Sequence, residues 1–465
     1  MNASTATGQL VWEHLRLECA PREVRVMDRE QDRPVGTATI SMASPWRLED
    51  FALEADEATW RWRSAGTVAQ LRLTADRTIS ARLVLTADEP VTGLAAGPSV
   101  GWRGAFSCPS WPGGSSGLVL LDERPSDGLV VTAGQTRGHV DAGERGLTLT
   151  PAGLDLAAGR SWVSAWTIDR HPHRAAALAA LPGWLPHRLD VPAGEPVPIA
   201  LPDAAVSGPG RISTNESGSL IEAEPGIHCF TVAGPGVDAR LQLAWAESLG
   251  DVAARRARLI AGSDPRGADA AQAAIIAWAD AGHELPHDQA MRFLAAWADE
   301  LLDRPGQPVE PLAVAPLLAA AGTDPARLGA VAGRLGALPD SAGALLAWMG
   351  AAPVLAGSGI TPPAPPADRD DPLCRVLSAV ATHAPRVPDE LWGLLPRLHS
   401  GLPWPMAPEH ATDAALCCAG LALAPAGWDV GARMPWSLPE LVAATRAWLI
   451  AAGPGDQTLA WLLWG

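Results

Sequence analysis

Apolar and polar residues alternate along short runs through the first half of the chain. Over positions 58–63 the alternation puts Trp60 and Trp62 on one face and Arg61 and Arg63 on the other. A period of two is the signature of a strand with one face buried. Positions 68–74 repeat the pattern with Leu71 and Leu73, and the runs 78–87, 117–122, 128–133 and 160–169 follow it. Gly, Pro, Asp and Ser separate these runs at fairly regular spacing, which predicts an antiparallel β-sandwich. One helical stretch is expected near 171–181, with Pro172 suited to its first turn. Strands then resume, the last two at 226–233 and 237–247.

At Ser248 the period changes to that of a helix. Met291, Leu294, Trp297 and Leu301 form one apolar stripe, and Leu441, Ala444 and Trp448 form another. Start signals stand at Asp324-Pro325 and at Ser437-Leu438-Pro439-Glu440, the latter a capping box. Gly282 and Gly350 read as stops. The pattern predicts about eleven short helices joined by short Pro/Gly connections, hence an array of αα-hairpins. A Pro-rich stretch at 361–366 is either a linker or a loop lying over the helical face. The expected organisation is multidomain, β then α: a β-sandwich domain over 1–247 and an α-helical hairpin domain over 248–465.

Composition narrows the function. The formal net charge is −16, and the Arg residues are scattered among Asp and Glu. Without a basic stripe, neither nucleic acid nor an anionic membrane surface is an expected partner. The sequence contains no Tyr and no Lys, a bias that a GC-rich genome produces. Lysine Schiff bases, Walker-type lysines and phenolic catalysts are thereby excluded. None of the six Cys has the spacing of a zinc or redox pair, so they read as buried thiols of a reducing compartment. The N-terminal residues lack the basic and apolar regions of a secretory signal, and the apolar runs at 311–321 and 416–428 are too short to span a bilayer. The expected location is the cytoplasm.

Familiar motifs occur in the wrong context. His283-Glu284-Leu285-Pro286-His287 has the spelling of a zinc-binding helix, but Pro286 breaks the turn that would align the two imidazoles. Gly113-Gly114-Ser115-Ser116-Gly117 has the spelling of a nucleophile elbow, but a Pro-Gly loop precedes it and a strand follows it. His171-Pro172-His173 could place two imidazoles on a metal, but it reads as a polar helix start. No glycine-rich dinucleotide fingerprint occurs. Neither a metal nor any other cofactor is expected.

Tryptophan is the most unusual feature: 20 Trp against 4 Phe. Trp46, Trp111, Trp404 and Trp436 each adjoin proline, and an indole held in such a loop offers a flat face on which a sugar ring can stack. The competing reading is that Trp fills every aromatic role in a chain without Tyr. The densest polar and aromatic cluster is 402–413, just before an expected helix. It makes Glu409 and Asp413 candidate catalytic carboxylates, since glycoside hydrolysis uses a pair of them. Trp404, His410 and Trp111 are the candidate substrate-binding residues. Plain N-capping competes here, because acidic residues favour a first helical turn.

A β-sandwich of this length followed by αα-hairpins resembles carbohydrate-active enzymes that join a supersandwich to an (α/α) toroid. The resemblance implies an incomplete (α/α)6 toroid and a glycoside-acting or glycan-binding protein, glycoside hydrolase-like or catalytically degenerate, with a glycan or small-molecule ligand. The alternative is a non-enzymatic scaffold whose helical array receives a protein partner.

Overall fold

The computed structural model describes residues 8–464, except for 105–109, 112–117, 123–129, 185–189, 303–308, 399–410, 429–436 and several stretches of one to four residues. Two antiparallel sheets make the N-terminal sandwich. In the first, Gly8–Trp12, Leu15–Ala20, Glu23–Asp28 and Arg33–Ser41 lie side by side, and Ser99–Gly104, Gly146–Thr148 and Asp141–Gly143 continue the sheet. The second runs from Ser110–Trp111 through Leu118–Asp122, Val130–Arg137, Ser161–His171, Ile79–Ala87, Thr67–Ala75 and Glu57–Ser64 to Arg47–Glu54. The inward faces share one core, with Leu10, Leu15 and Leu17 from the first sheet and Trp60, Leu71 and Leu83 from the second. Trp60 is fully buried, and its indole N–H donates to the Ala20 carbonyl at 3.0 Å, tying the sheets together. Arg61 and Arg63 leave by the opposite face to meet Glu49 at 3.4 and 2.7 Å. The strand Ser161–His171 takes up His171, so the helix expected near 171–181 can begin only after it; Ala176 and Ala179 are helical, and the other residues of 172–182 lie outside the described residues.

A smaller β unit follows, with its own core. Gly226–Gly234 and Val237–Ala246 form a long antiparallel pair, and Asp190–Pro192 joins the latter in parallel, unlike the other described pairings. Trp245 is fully buried there, edge-on to Phe230 at 5.9 Å, and donates its N–H to the Glu195 carbonyl at 2.9 Å.

The change from strand to helix falls between Ala246 and Leu249. Among the described residues the helices are α1 (Leu249–Ala261), α2 (Ala270–Ala281), α3 (His287–Leu302), α4 (Val314–Ala321), α5 (Pro325–Leu335), α6 (Ala342–Gly357), α7 (Pro372–Ala381), α8 (Glu390–Leu394), α9 (Ala411–Leu421), α10 (Leu438–Ala451) and α11 (Asp456–Leu462). Each of α1 to α7 packs on the helix that follows it, as α9 does on α10, in αα-hairpins over one Ala- and Leu-rich core. The start signals act as the sequence predicts: Asp324 caps α5, and Ser437 with Glu440 closes a capping box on α10. Gly282 caps the end of α2. Gly350 does not stop a helix, because α6 continues through it and through Pro353 to Gly357. Gly350 lies against the Trp464 ring, where a Cβ would make an ordinary contact at 3.5 Å, and Pro353 sits on the exposed side of α6, where a lost backbone bond costs least. The Pro-rich stretch is a loop over the helical face: the Trp348 indole N–H donates to the Pro363 carbonyl at 2.8 Å.

The short α11 is the hub of the array. It packs against α2 and α9, so the end of the chain returns to the first hairpin. Thr458, Leu459, Ala460, Trp461 and Leu462 are all buried. On α6, a Cβ at Gly343 would come within 3.2 Å of Trp461, so glycine there lets the two helices approach closely.

Replacing Trp60 with Ala should cost about 3–5 kcal/mol by urea unfolding. Arg61→Ala, on the outer face, should stay within about 0.5 kcal/mol. Similar losses for the two would contradict the assignment of faces.

Candidate functional site

The site is built where the small β unit meets the helical array, and α11 positions it. The Asp456 carboxylate accepts from Arg256 Nε and Nη2 at 2.6 and 2.7 Å and from Gln272 Nε2 at 3.0 Å. These bonds fasten the first turn of α11 to α1 and α2. They hold the Asp456 carboxyl below its ordinary range, the Arg256 hydrogen bond being the largest cause. Upstream, α10 ends in a tight turn. Gly453 adopts φ 74°, a conformation that favours glycine, and donates to the Ile450 carbonyl at 3.0 Å before Pro454 redirects the chain.

This geometry leaves a cleft of about 300 Å³ lined by Ile227 and Gln242 of the β unit, Ala411 at the start of α9, Trp448 and Leu449 of α10, the turn 452–455, and Thr458 of α11. The size is at the lower end for small-molecule sites. Besides apolar surface, its described lining residues bring the Gln242 amide, the Trp448 indole, the backbone of the turn 452–455, and the Thr458 hydroxyl, which lies 3.2 Å from the Thr412 hydroxyl. Gln242 is paired across the sheet with Cys229, and its Nε2 donates to Cys229 Sγ at 3.4 Å. Its Oε1 is buried without a hydrogen-bond partner.

Asp413 is exposed in the first turn of α9, a position that acidic residues favour beside the helix dipole. Trp404, Glu409 and His410 lie outside the described residues, as does Trp436. The described part of α9 starts at Ala411, so the shared helical face expected of Glu409 and Asp413 also falls outside the described residues. Trp111 ends the strand Ser110–Trp111, and its side chain is not among those described. Trp46 is no platform: it is 7% exposed and belongs to the sandwich core. In the zinc-like pentapeptide, Gly282 caps α2, His283 has φ 60° and His287 opens α3, so the imidazoles do not share a helical face. His287 Nδ1 instead lies 2.8 Å from Asp280 Oδ1. The serine of the elbow-like motif lies outside the described residues.

Sequence reasoning missed Gln242 and Thr458. Between Leu241 and Leu243 a glutamine reads as the solvent side of a strand, and only the packing of α10 on that face turns it inward. Thr458 in a short apolar helix carries no signal of its own.

Two further features test how the array handles polar groups. Cys229 is exposed, against the expectation of buried thiols, because it sits on the sheet face opposite the small core. Cys19, Cys374, Cys417 and Cys418 are buried, and burial pushes the Cys19 thiol up to about 12. On α10, Arg446 has Nε and Nη2 buried with no hydrogen-bond partner. The side chain as a whole is half-buried, and leaving these two N–H groups unpaired works against stability.

The fold is an N-terminal antiparallel β-sandwich followed by an array of αα-hairpins, an architecture shared with carbohydrate-active enzymes. A polysaccharide lyase of solved structure is similar over 97% of this chain and 82% of its own, with a TM-score of 0.50 at 9% sequence identity. That likeness concerns the fold alone. A heparan sulfate lyase from Pedobacter heparinus matches 52% of this chain and 42% of its own at 6% identity, and its TM-score of 0.24 carries no argument. Neither a protein-family model nor a curated protein matches the sequence. Among the described residues, no helix is long and apolar enough to cross a membrane.

Because the Asp456 pKa is lowered on folding, its contribution is present above the ordinary carboxylate range and is lost as pH falls through the lowered value. Asp456→Asn should destabilise by about 1–3 kcal/mol at neutral pH. The deficit should shrink below about pH 4, measured by urea unfolding at both pH values. A deficit independent of pH would contradict the clamp. Arg446→Met should leave stability unchanged or raise it by up to about 1 kcal/mol, since it removes two buried N–H groups without partners while keeping much of the packing. A loss of stability by the same measurement would show that the guanidinium is paired in solution.

Proposed function

We propose that this protein binds a glycan in the cleft between the small β unit and α10–α11, with glycoside hydrolase-like chemistry at its rim. The observation that carries the reading is the place of Ala411 in the cleft wall. His410 and Glu409 precede Ala411 by one and two residues in sequence, and this closeness along the chain is what supports them as candidates here. The cleft supplies apolar surface with a few polar groups, the usual composition of a small-molecule site. The segment adds Trp404 as a stacking face, His410 as a titratable group, and Glu409 with Asp413 as the acid and base that hydrolysis needs. Likeness in fold to a polysaccharide lyase supports the same class of ligand.

The test begins with a glycan array and thermal shift on the full chain. Trp404→Ala should weaken binding of a hit about tenfold, or ~1.4 kcal/mol. Glu409→Gln should lower any hydrolytic turnover about 10²–10⁴-fold. A hit bound without turnover leaves a binding protein. An array with no hit contradicts the reading and favours the helical array as a scaffold for another protein.

A further inference from the structure

The alternation of the strand Val237–Ala246 explains most of its residues. Leu241 and Leu243 are fully buried in the small β core, and Trp245 joins them. Gln242 faces the other way, on the sheet side that carries Cys229 and Ile227 and is covered in part by α10. One end of its amide donates to a thiol sulfur, a weak acceptor. The other end, Oε1, is buried beside the cleft with no partner. A buried amide oxygen left in this state opposes folding, and a leucine or methionine of similar volume would not. Within the β unit the amide gains only the bond to the Cys229 sulfur.

We infer that Gln242 is a ligand-binding residue that accepts a hydrogen bond from an uncharged sugar unit seated in the cleft. The inference rests on the glycan reading above and makes it specific. The last side-chain torsion of glutamine is broad, so rotation about it can turn the oxygen toward the cleft. The donor is then a hydroxyl or an acetamido N–H of the ligand, while the sugar's C–H face lies on Ile227, Leu449 and Pro454. The described wall offers no cation to a carboxylate or sulfate. The neighbouring charge, Asp456, is already held by Arg256. An acidic sugar pressed against this wall would lose its hydration without compensation.

The experiment compares wild type with Gln242→Met, using N-acetylglucosamine, galactose and glucuronate as probes in titration calorimetry, and thermal unfolding without ligand. Gln242→Leu serves as the second variant should methionine perturb folding. The expected result is a melting temperature equal to or above wild type, together with at least tenfold weaker binding of whichever neutral sugar wild type binds. Glucuronate should bind wild type at least tenfold more weakly than that sugar. Equal binding by wild type and variant overturns the role of Gln242 and leaves the glycan reading standing. A lower melting temperature in both variants also overturns it, by showing that the amide is structural. Tighter binding of glucuronate overturns the uncharged ligand class. Binding of none of the three, together with an empty glycan array, overturns the glycan reading itself.

Discussion

The Asp456 carboxylate is the point on which the helical array and its cleft depend. Three hydrogen bonds from Arg256 and Gln272 fix the first turn of a helix only seven residues long. A helix of that length has little stability of its own and exists because its surroundings hold it. Here they hold it at the amino end by charge and along its length by burial against α2, α6 and α9. The position of that helix sets the turn 452–455, and the turn with Thr458 forms one side of the cleft. The ion pair therefore matters less as a stabilising contact than as the reason an opening survives beside a well-packed core.

Tryptophan supplies a second, distributed constraint. An indole gains most from burial when its N–H finds an acceptor. Trp60, Trp245, Trp297, Trp348 and Trp428 each donate to a backbone carbonyl 15 to 50 residues away in sequence. Each such bond pins a distant loop or strand end to a core. In a chain without tyrosine, this is how aromatic residues combine packing with polar anchoring. Trp46 departs from the pattern, buried with its N–H unpaired.

Much of the fold was legible because local periodicity and tertiary burial agree. The alternation through Trp60 and Trp62 and the stripe through Leu294 and Trp297 point to faces that are in fact buried. Signals failed where a residue serves a distant contact. Gly350 reads as a helix stop because the local signal does not reveal the burial of Ala351, Ala352 and Leu355, which carries α6 past it. Trp46 reads as a loop platform because its proline neighbour is local and its burial is not. The site was less legible than the fold. Its clearest wall residue, Gln242, is an ordinary outward position until α10 covers it, and the Asp456–Arg256 pair spans 200 residues.

Amide hydrogen exchange, with and without a saturating glycan from the array, tests the central claim most directly. The account predicts slower exchange on binding in the strands Gly226–Gly234 and Val237–Ala246 and in the stretch 452–458, with the sandwich strands unchanged. Protection confined to the sandwich, or none at all with ligand bound, would contradict it.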